Sequence, residues 1–172
     1  MVRMAVADTS PLIHLAKAGA LEEARSIVGV IAVVPAVWRE AVESGEHKGA
    51  PDSAAIRRAR TDGCLRTVSL DGAERKAAGI LARRHRLGGG ESEVLAVALR
   101  SQWILMDDGR ARRVAEHLGF APVSTISLPV LGRNLRLLER NQARALLSRL
   151  GKVVGVRADT LAEFESKIEE VE

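Results

Sequence analysis

Short apolar runs alternate with helix-forming stretches along most of this chain, and this alternation constrains the fold more than any other feature. We predict strands at residues 4–7, 31–34, 65–70, 103–106 and 122–125. The run at 31–34 is apolar throughout, as expected for a strand that is covered on both faces. Strands that alternate with helices form a mainly parallel sheet between two helical layers. The sequence therefore predicts an α/β protein with a three-layer α/β/α architecture.

The pattern becomes wholly helical after the last predicted strand. We expect helices near residues 128–138, 142–150 and 160–170, which would serve as a cap on the sheet domain or as a dimer surface. A chain of 172 residues is long enough to bury one proper core. We therefore expect one domain, with the C-terminal helices packed on it.

Several residues mark helix boundaries. Ser10 is expected to be the N-cap of a helix over residues 12–18, with Pro11 in its first turn. The glycines at 88–90 are expected to form a tight turn before a helix over residues 91–101. The polar residues 44–51 are the most loop-like stretch.

Composition narrows the class of protein. The chain is 47% hydrophobic and 28% charged, which is typical of a soluble globular domain. It has a single cysteine, which excludes an intramolecular disulfide and agrees with a reducing cytoplasm. Charges interrupt every apolar run, and we find no secretory signal, so we expect a cytoplasmic protein that does not enter a membrane.

The net charge is +4, and the basic residues occur in clusters. Such clusters form either a binding surface for the phosphates of a nucleic acid or solvated helix faces, and the sequence leaves both possibilities open. With aromatic residues at only 2%, stacking of bases on aromatic rings is not expected to provide the main grip.

Acidic residues follow two of the predicted strands. Asp8 comes after the first strand, and Asp107 and Asp108 come at the end of the fourth. In parallel sheets the ligand crevice lies beyond the carboxyl ends of the strands, at a topological switch point, so these residues are expected at one edge. A structural interpretation also remains open, because each aspartate could cap the helix that follows it.

Two more acidic residues could join this edge. Glu91 shares a helix face with Leu95, Ala98 and Leu99, so it is expected at the head of a buried stripe. Glu93 is turned about 200° away and is better interpreted as support for the dipole of its own helix. Glu40 lies within a predicted helix, where a glutamate is usually solvated.

Carboxylates that converge on one edge repel each other unless a divalent cation neutralises them. Ligand sets made only of oxygen favour Mg²⁺ or Mn²⁺.

Other kinds of catalytic or binding site are poorly supported. The four histidines lack the spacing of a zinc site, the glycine run lacks the lysine of a nucleotide-binding loop, and Ser10 has no evident base.

Four motifs together resemble a known family. They are Asp8-Thr9-Ser10-Pro11, Pro35-Ala36-Val37-Trp38-Arg39-Glu40, Gly90-Glu91-Ser92-Glu93, and Asp107-Asp108 before a helix that carries arginines. In this order they resemble a PIN domain, most closely a little-characterised prokaryotic branch whose members are often regarded as toxins of toxin–antitoxin pairs. The resemblance covers roughly residues 4 to 135. It implies a PIN-like nuclease domain over residues 1–135, with residues 136–172 as a C-terminal helical extension packed on the same domain.

The resemblance also implies the site and its chemistry. By this likeness Asp8, Glu40, Glu91 and Asp108 are the catalytic acids, and Asp8, Glu91 and Asp108 hold Mg²⁺ or Mn²⁺. Ser10, Asp107 and Glu93 are expected to support them, and Arg110, Arg112 and Arg113 to bind the nucleic acid. The implied activity is hydrolysis of RNA phosphodiester bonds by a metal-dependent endoribonuclease. An antitoxin protein and a second copy of the chain are the implied protein partners.

Two positions differ from the usual PIN pattern. The third acid is Glu91 where many PIN domains have aspartate, and the hydroxyl residue that often precedes the last aspartate is absent. Asp107 could replace part of the function of that hydroxyl residue.

Two other functions of the protein remain open: a non-catalytic nucleic-acid-binding protein of PIN fold with a degenerate metal site, and a receiver-like phosphoryl-transfer signalling domain.

Overall fold

A computed structural model of the chain describes residues 3–47 and 49–171, and within them a sheet of five parallel strands. The strands lie in the order β3-β2-β1-β4-β5. Their bounds are β1 Met4–Ala7, β2 Val30–Val33, β3 Leu65–Thr67, β4 Trp103–Leu105 and β5 Pro122–Val123. The prediction of a three-layer α/β/α fold around a mainly parallel sheet is confirmed.

Helices connect the strands and continue beyond the last one. They are α1 Thr9–Lys17, α2 Leu21–Val28, α3 Pro35–Trp38, α4 Ser44–His47, α5 Pro51–Thr61, α6 Gly72–His85, α7 Gly89–Val97, α8 Gly109–His117, α9 Leu128–Asn134, α10 Arg140–Val154 and α11 Ala158–Glu170. A π-helical turn, Arg39–Glu43, joins α3 to α4. Short 3₁₀ turns follow α7 at Ala98–Arg100 and β5 at Thr125–Ser127.

The strands are apolar because both faces of the sheet are covered. Ala5, Val6 and Ala7 of the central strand β1 are fully buried, which is typical of a parallel sheet between two helical layers. β1 pairs with β2 on one side, where Ala5 lies opposite Ile31, and with β4 on the other, where Ala5 lies opposite Trp103. β1 is therefore the strand on which the two halves of the sheet meet.

The C-terminal helices contribute to the same core as the sheet. Leu146, Leu147 and Leu150 of α10 and Ile168 of α11 are at most 1% exposed and belong to one continuous cluster with the strands. Helix α10 packs against α1 and α9, and α11 packs against α9 and α10. No helix within residues 3–47 and 49–171 is long and apolar enough to cross a membrane.

Three predicted helix boundaries were wrong. Helix α1 begins at Thr9, so Asp8 and not Ser10 occupies the N-cap position, and Ser10 lies inside the first turn. Residues Ser44–His47 are helical, because the π-helical turn carries the preceding helix onward instead of ending it. Helix α7 begins at Gly89, so two of the three glycines belong to its first turn.

The buried stripe predicted for α7 ends earlier than expected. Leu95 and Ala98 are buried, but Leu99 is 89% exposed. The chain tightens into a 3₁₀ turn at Ala98, and the smaller number of residues per turn rotates Leu99 away from the core.

Candidate active site

The order of the strands locates a crevice at one edge of the sheet. The chain passes from β1 to β2 and β3 on one side, and then crosses to β4 and β5 on the other. The switch point lies between β1 and β4, and ligands of such folds bind beyond the carboxyl ends of the strands at this point. An open cavity of about 430 Å³ lies there, lined by Asp8, Thr9, Ser10, Glu40, Gly88, Gly90, Glu91, Asp108 and Arg110.

Asp8 is the most deeply buried acid of this cavity. It directly follows β1, its backbone N–H donates to the carbonyl oxygen of Leu105 at 2.9 Å, and it is 5% exposed. Burial raises the pKa of Asp8 to about 6; the backbone N–H of Thr9 opposes this shift, and the carboxylates of Glu91 and Glu40 add to it. The site therefore accumulates more negative charge than its own dipoles neutralise.

Glu40 reaches the cavity from the π-helical turn. The Oγ1 hydroxyl of Thr9 donates a hydrogen bond to its Oε2 at 2.6 Å, although Glu40 itself is exposed. Single π-helical turns inside α-helices occur frequently at functional sites. Sequence reasoning named Ser10, which also lines the cavity, as a supporting residue, and it missed Thr9. The only available signal was that Thr9 also directly follows Asp8 at the end of a strand.

Glu91 occupies the third position of α7 and is half-buried. Its Oε2 accepts a hydrogen bond from the backbone N–H of Gly88 at 2.7 Å. This contact satisfies a free donor at the start of the helix, as the glutamate of a capping box does. Glu91 therefore has a structural partner in addition to its place in the cavity wall.

Gly90 allows two of the acids to approach the helix closely. A Cβ atom at this position would lie 3.1 Å from Oδ1 of Asp8 and 3.2 Å from Oε2 of Glu40. It would also lie 3.1 Å from a methyl group of Val37. Oxygens of Asp8 and Glu40 thus converge on the bare backbone of Gly90, which any larger residue would obstruct.

Asp108 and Arg110 form the opposite wall of the cavity. Oδ1 of Asp108 accepts hydrogen bonds from the backbone N–H groups of Arg110 and Ala111, each at 2.9 Å. Asp108 is thus the N-cap of α8, and it also faces the cavity. Of the three arginines expected to bind nucleic acid, Arg110 lines the cavity, whereas Arg112 and Arg113 lie further along α8 and do not line it.

Asp107 lies outside this cavity and has partners of its own. Its Oδ2 lies 2.8 Å from Nδ1 of His14 and accepts from the hydroxyl of Thr125 at 2.7 Å, and its Oδ1 accepts from the N–H of Thr125 at 2.7 Å. Burial alone raises the pKa of Asp107, but the hydrogen bonds from His14 and Thr125 outweigh burial and hold it below its ordinary value. Asp107 therefore ties the end of β4 to α1 and to the turn after β5.

Glu93 also contacts another element instead of the cavity. Its Oε2 accepts a hydrogen bond from the backbone N–H of Ala36 at 2.8 Å, and its Oε1 lies 3.9 Å from the guanidinium of Arg39. The sequence suggested that Glu93 supports the dipole of its own helix. The structure shows instead that it caps α3, the helix that leads to Glu40.

The donor chemistry of the cavity fits Mg²⁺ or Mn²⁺, because its acidic side chains offer oxygen ligands only. Within the described residues, however, no group of three His, Cys, Asp or Glu side chains could hold a metal ion as it stands. Glu40 and Glu91 are each held by a hydrogen bond, from Thr9 and from Gly88 respectively.

Comparison with known proteins supports this interpretation of the fold. A family model described as a PIN domain matches residues 4–169, which include the sheet, all four acids and the C-terminal helices. No curated protein and no solved structure matches the chain significantly. The PIN domain is a nuclease fold, and its nucleases usually use divalent metals. The match covers nearly the whole chain, and the chain therefore belongs to the PIN domain family.

Proposed function

We propose that this protein is a metal-dependent endoribonuclease that hydrolyses RNA phosphodiester bonds at the cavity between β1 and β4. The observation that carries this proposal is the convergence of Asp8, Glu40, Glu91 and Asp108 on one open cavity at the switch point of the sheet. These acids come from four separate segments of the chain. Glu91 and Asp108 also cap helices, but these local uses do not require all four acids to line the same cavity.

The residues of the cavity have distinct expected roles. Asp8, Glu91 and Asp108 would hold Mg²⁺ or Mn²⁺, which when bound lowers the pKa of a water molecule and stabilises charge on the leaving oxygen. Thr9 holds the carboxylate of Glu40 in the cavity. Arg110 is exposed at the cavity wall, where its guanidinium can bind an RNA phosphate.

The test is cleavage of a mixed RNA substrate with Mg²⁺ or Mn²⁺. Wild type should cut the RNA only with the metal, and the Asp8→Asn and Glu91→Gln variants should lose at least about 100-fold in rate, since each removes a charged metal ligand. Glu163→Gln is a matched control, because Glu163 is exposed on α11, far along the chain from the acids. Loss of activity in the control, or cutting that continues in a metal chelator, would contradict the proposal.

We also propose that the protein is the toxin of a toxin–antitoxin pair and forms a homodimer. The support is the likeness of its four motifs to the branch of PIN domains often regarded as toxins. Expression should arrest growth, and co-expression of a protein encoded by a neighbouring gene should relieve the arrest. If expression is harmless in the native host, the toxin role fails, while the nuclease proposal is unaffected.

A non-catalytic nucleic-acid-binding protein of the same fold is the alternative. One observation favours it: no three potential ligands among the described residues are arranged to hold a metal as they stand. The cleavage assay with mixed RNA separates the two functions. Binding of RNA without a metal and without any cutting supports the alternative. Membership of the PIN domain family leaves the receiver-like interpretation without support.

A further inference from the structure

A second cavity lies on the same edge of the sheet as the acids. It has a volume of about 320 Å³ and lies beyond the carboxyl ends of β2 and β3. Its wall includes Pro35 and Trp38 of α3, Arg39 of the π-helical turn, Arg60 of α5, and Thr67 and Val68 at the end of β3. We call it the Trp38 cavity. Its volume is at the low end for small-molecule pockets and is suited to one planar group.

The cavity combines an aromatic ring with positive charge. The indole of Trp38 is half-buried, and the guanidinium groups of Arg60 and Arg57 lie 4.9 Å and 5.8 Å from its ring centroid. The chain has only two tryptophans, two phenylalanines and no tyrosine. What distinguishes Trp38 is that its ring lies among arginines, at the edge of the sheet that carries the acids.

The Trp38 cavity and the acidic cavity share a wall. Arg39 lines the first and the next residue, Glu40, lines the second. A contact with α7 holds this shared wall in position. The side chain of Glu93 accepts a hydrogen bond from the backbone N–H of Ala36, at the start of α3. A polymer that lies across the wall would contact both cavities with adjacent units.

We propose that the Trp38 cavity binds one nucleobase of single-stranded RNA beside the phosphate that is cut; this inference rests on the proposed ribonuclease function. The base stacks on the indole of Trp38 and displaces the guanidinium of Arg60 from over the ring, since bases of single strands stack on aromatic rings. Arg39 and Arg60 neutralise the flanking phosphates. Thr67 and Glu43, which also line the cavity, provide hydrogen-bonding groups for the edge of the base.

The chemistry of the cavity selects a single strand over a duplex. Within a duplex the bases are stacked on each other, and the edges that could enter a small cavity are paired. A base must therefore be free of its neighbours to reach Trp38. The cavity would give the nuclease a preference for unpaired RNA and for certain bases at one position next to the cut.

Fluorescence of Trp38 tests this inference directly. In a protein with Asp8→Asn and Trp103→Phe, Trp38 is the only tryptophan, and the chain has no tyrosine to interfere. Titration with short single-stranded RNA oligomers should quench its fluorescence, because the base stacks on the indole. Duplex RNA of the same sequence should quench it far less. Equal quenching by the duplex would overturn the proposal.

Measurements of RNA affinity provide a second test of the inference. Trp38→Leu should weaken binding of single-stranded RNA by roughly 5- to 100-fold, and Trp38→Phe should retain most of the affinity, as expected when one base stacks on the ring. Trp103→Phe is the matched control, because Trp103 begins β4 and lies at the opposite end of that strand from Asp108. It should leave the affinity unchanged.

The outcomes separate this inference from the proposed function. If wild type cuts RNA but saturating RNA does not change the fluorescence of Trp38, the nuclease stands and the base-binding cavity is wrong. If RNA quenches Trp38 but wild type never cuts RNA, the cavity stands and the nuclease is wrong. The fluorescence arm requires no substitution at Trp38, so the inference can be tested even if Trp38→Leu fails to fold.

Discussion

Asp8 destabilises the metal-free protein at neutral pH. Its pKa is about 6 in the folded protein and 3.8 ordinarily, so the folded state binds a proton more tightly than the unfolded state does. The unfolding free energy therefore falls as pH rises from about 4 to about 6, and the full loss of about 3 kcal/mol is present above that range. Because Asp8 is only 5% exposed, solvent screens this effect little.

The first prediction concerns this buried charge. With a metal chelator present at pH 7.5, Asp8→Asn should be more stable than wild type, by up to about 3 kcal/mol, because the charge has been removed. The difference should shrink as the pH approaches 4, where Asp8 is protonated in the folded state and about half protonated in the unfolded state. Urea unfolding at several pH values measures it. A constant difference across this range would contradict the assigned pKa.

The second prediction concerns Gly90. Gly90→Ala should lower kcat/KM by about tenfold or more, because the added Cβ pushes on Asp8 and Glu40 and small displacements of reacting groups are costly. Gly89→Ala is the matched control, since its Cβ would lie at ordinary distances of 3.5 Å from Ala36 and 4.0 Å from Glu40. The control should keep its activity and gain slightly in stability, as alanine favours a helix. Equal loss in both variants would contradict this account.

At the scale of elements, the two adjacent aspartates at the end of β4 have different roles, one structural and one in the cavity. Asp107 joins β4 to α1 and to the turn after β5, whereas Asp108 faces the cavity and caps α8. Successive side chains leave a strand in opposite directions, so the sequence indicates that only one of the two enters the crevice. Strand geometry does not indicate which one, because that depends on the partners of Asp107 in distant segments; only the resemblance to PIN domains favoured Asp108.

The third prediction separates these two aspartates. Asp107→Ala should lose about 3 kcal/mol of unfolding free energy, since it leaves buried donors without an acceptor, but should keep cutting RNA while folded. Asp108→Ala should lose only about 1 kcal/mol, the usual cost of a missing cap, and should lose its activity. Denaturant unfolding and RNA cleavage, both measured on the two variants, check this. Loss of activity in Asp107→Ala, with activity retained in Asp108→Ala, would contradict these roles.

Some contacts between elements are visible in the sequence and others are not. Helix periodicity distinguishes Glu91 from Glu93, because it depends only on local geometry. It does not reveal that Glu93 caps α3, since that contact joins residues 57 positions apart in the chain. The same limit explains Thr9, whose partner Glu40 is 31 residues away. Motifs located the acids, whereas the contacts that orient the acids depend on how the elements pack.

At the scale of the whole molecule, the alternation of strands and helices was sufficient to predict the sheet. Short apolar runs flanked by helices have few other ways to be covered on both sides. The details at the boundaries were less predictable. The π-helical turn and the 3₁₀ turn after α7 change the number of residues per helical turn within a segment. A sequence pattern assumes a constant number, so it assigns the residues after such a turn to the wrong face. Leu99 was assigned to the core for this reason.

The fourth prediction concerns the C-terminal helices. A chain that ends at residue 135 loses four large, fully buried side chains, Leu146, Leu147, Leu150 and Ile168. Each is worth about 1.5–3 kcal/mol, so the loss is comparable with the whole stability of a domain. The shortened chain should lack cooperative thermal unfolding. A truncation at residue 157, which removes only α11, is the control and should be weakened less.

The pairing of β1 with β4 also determines when in folding the cavity can exist. β1 is formed at the start of the chain, but its neighbour β4 lies about a hundred residues later, and contacts this distant in sequence form slowly. Asp8 and Asp108 meet only when these two strands pair. During refolding, helical circular dichroism should therefore recover before RNA cleavage does, and a partly folded or partly synthesised chain would be harmless to RNA.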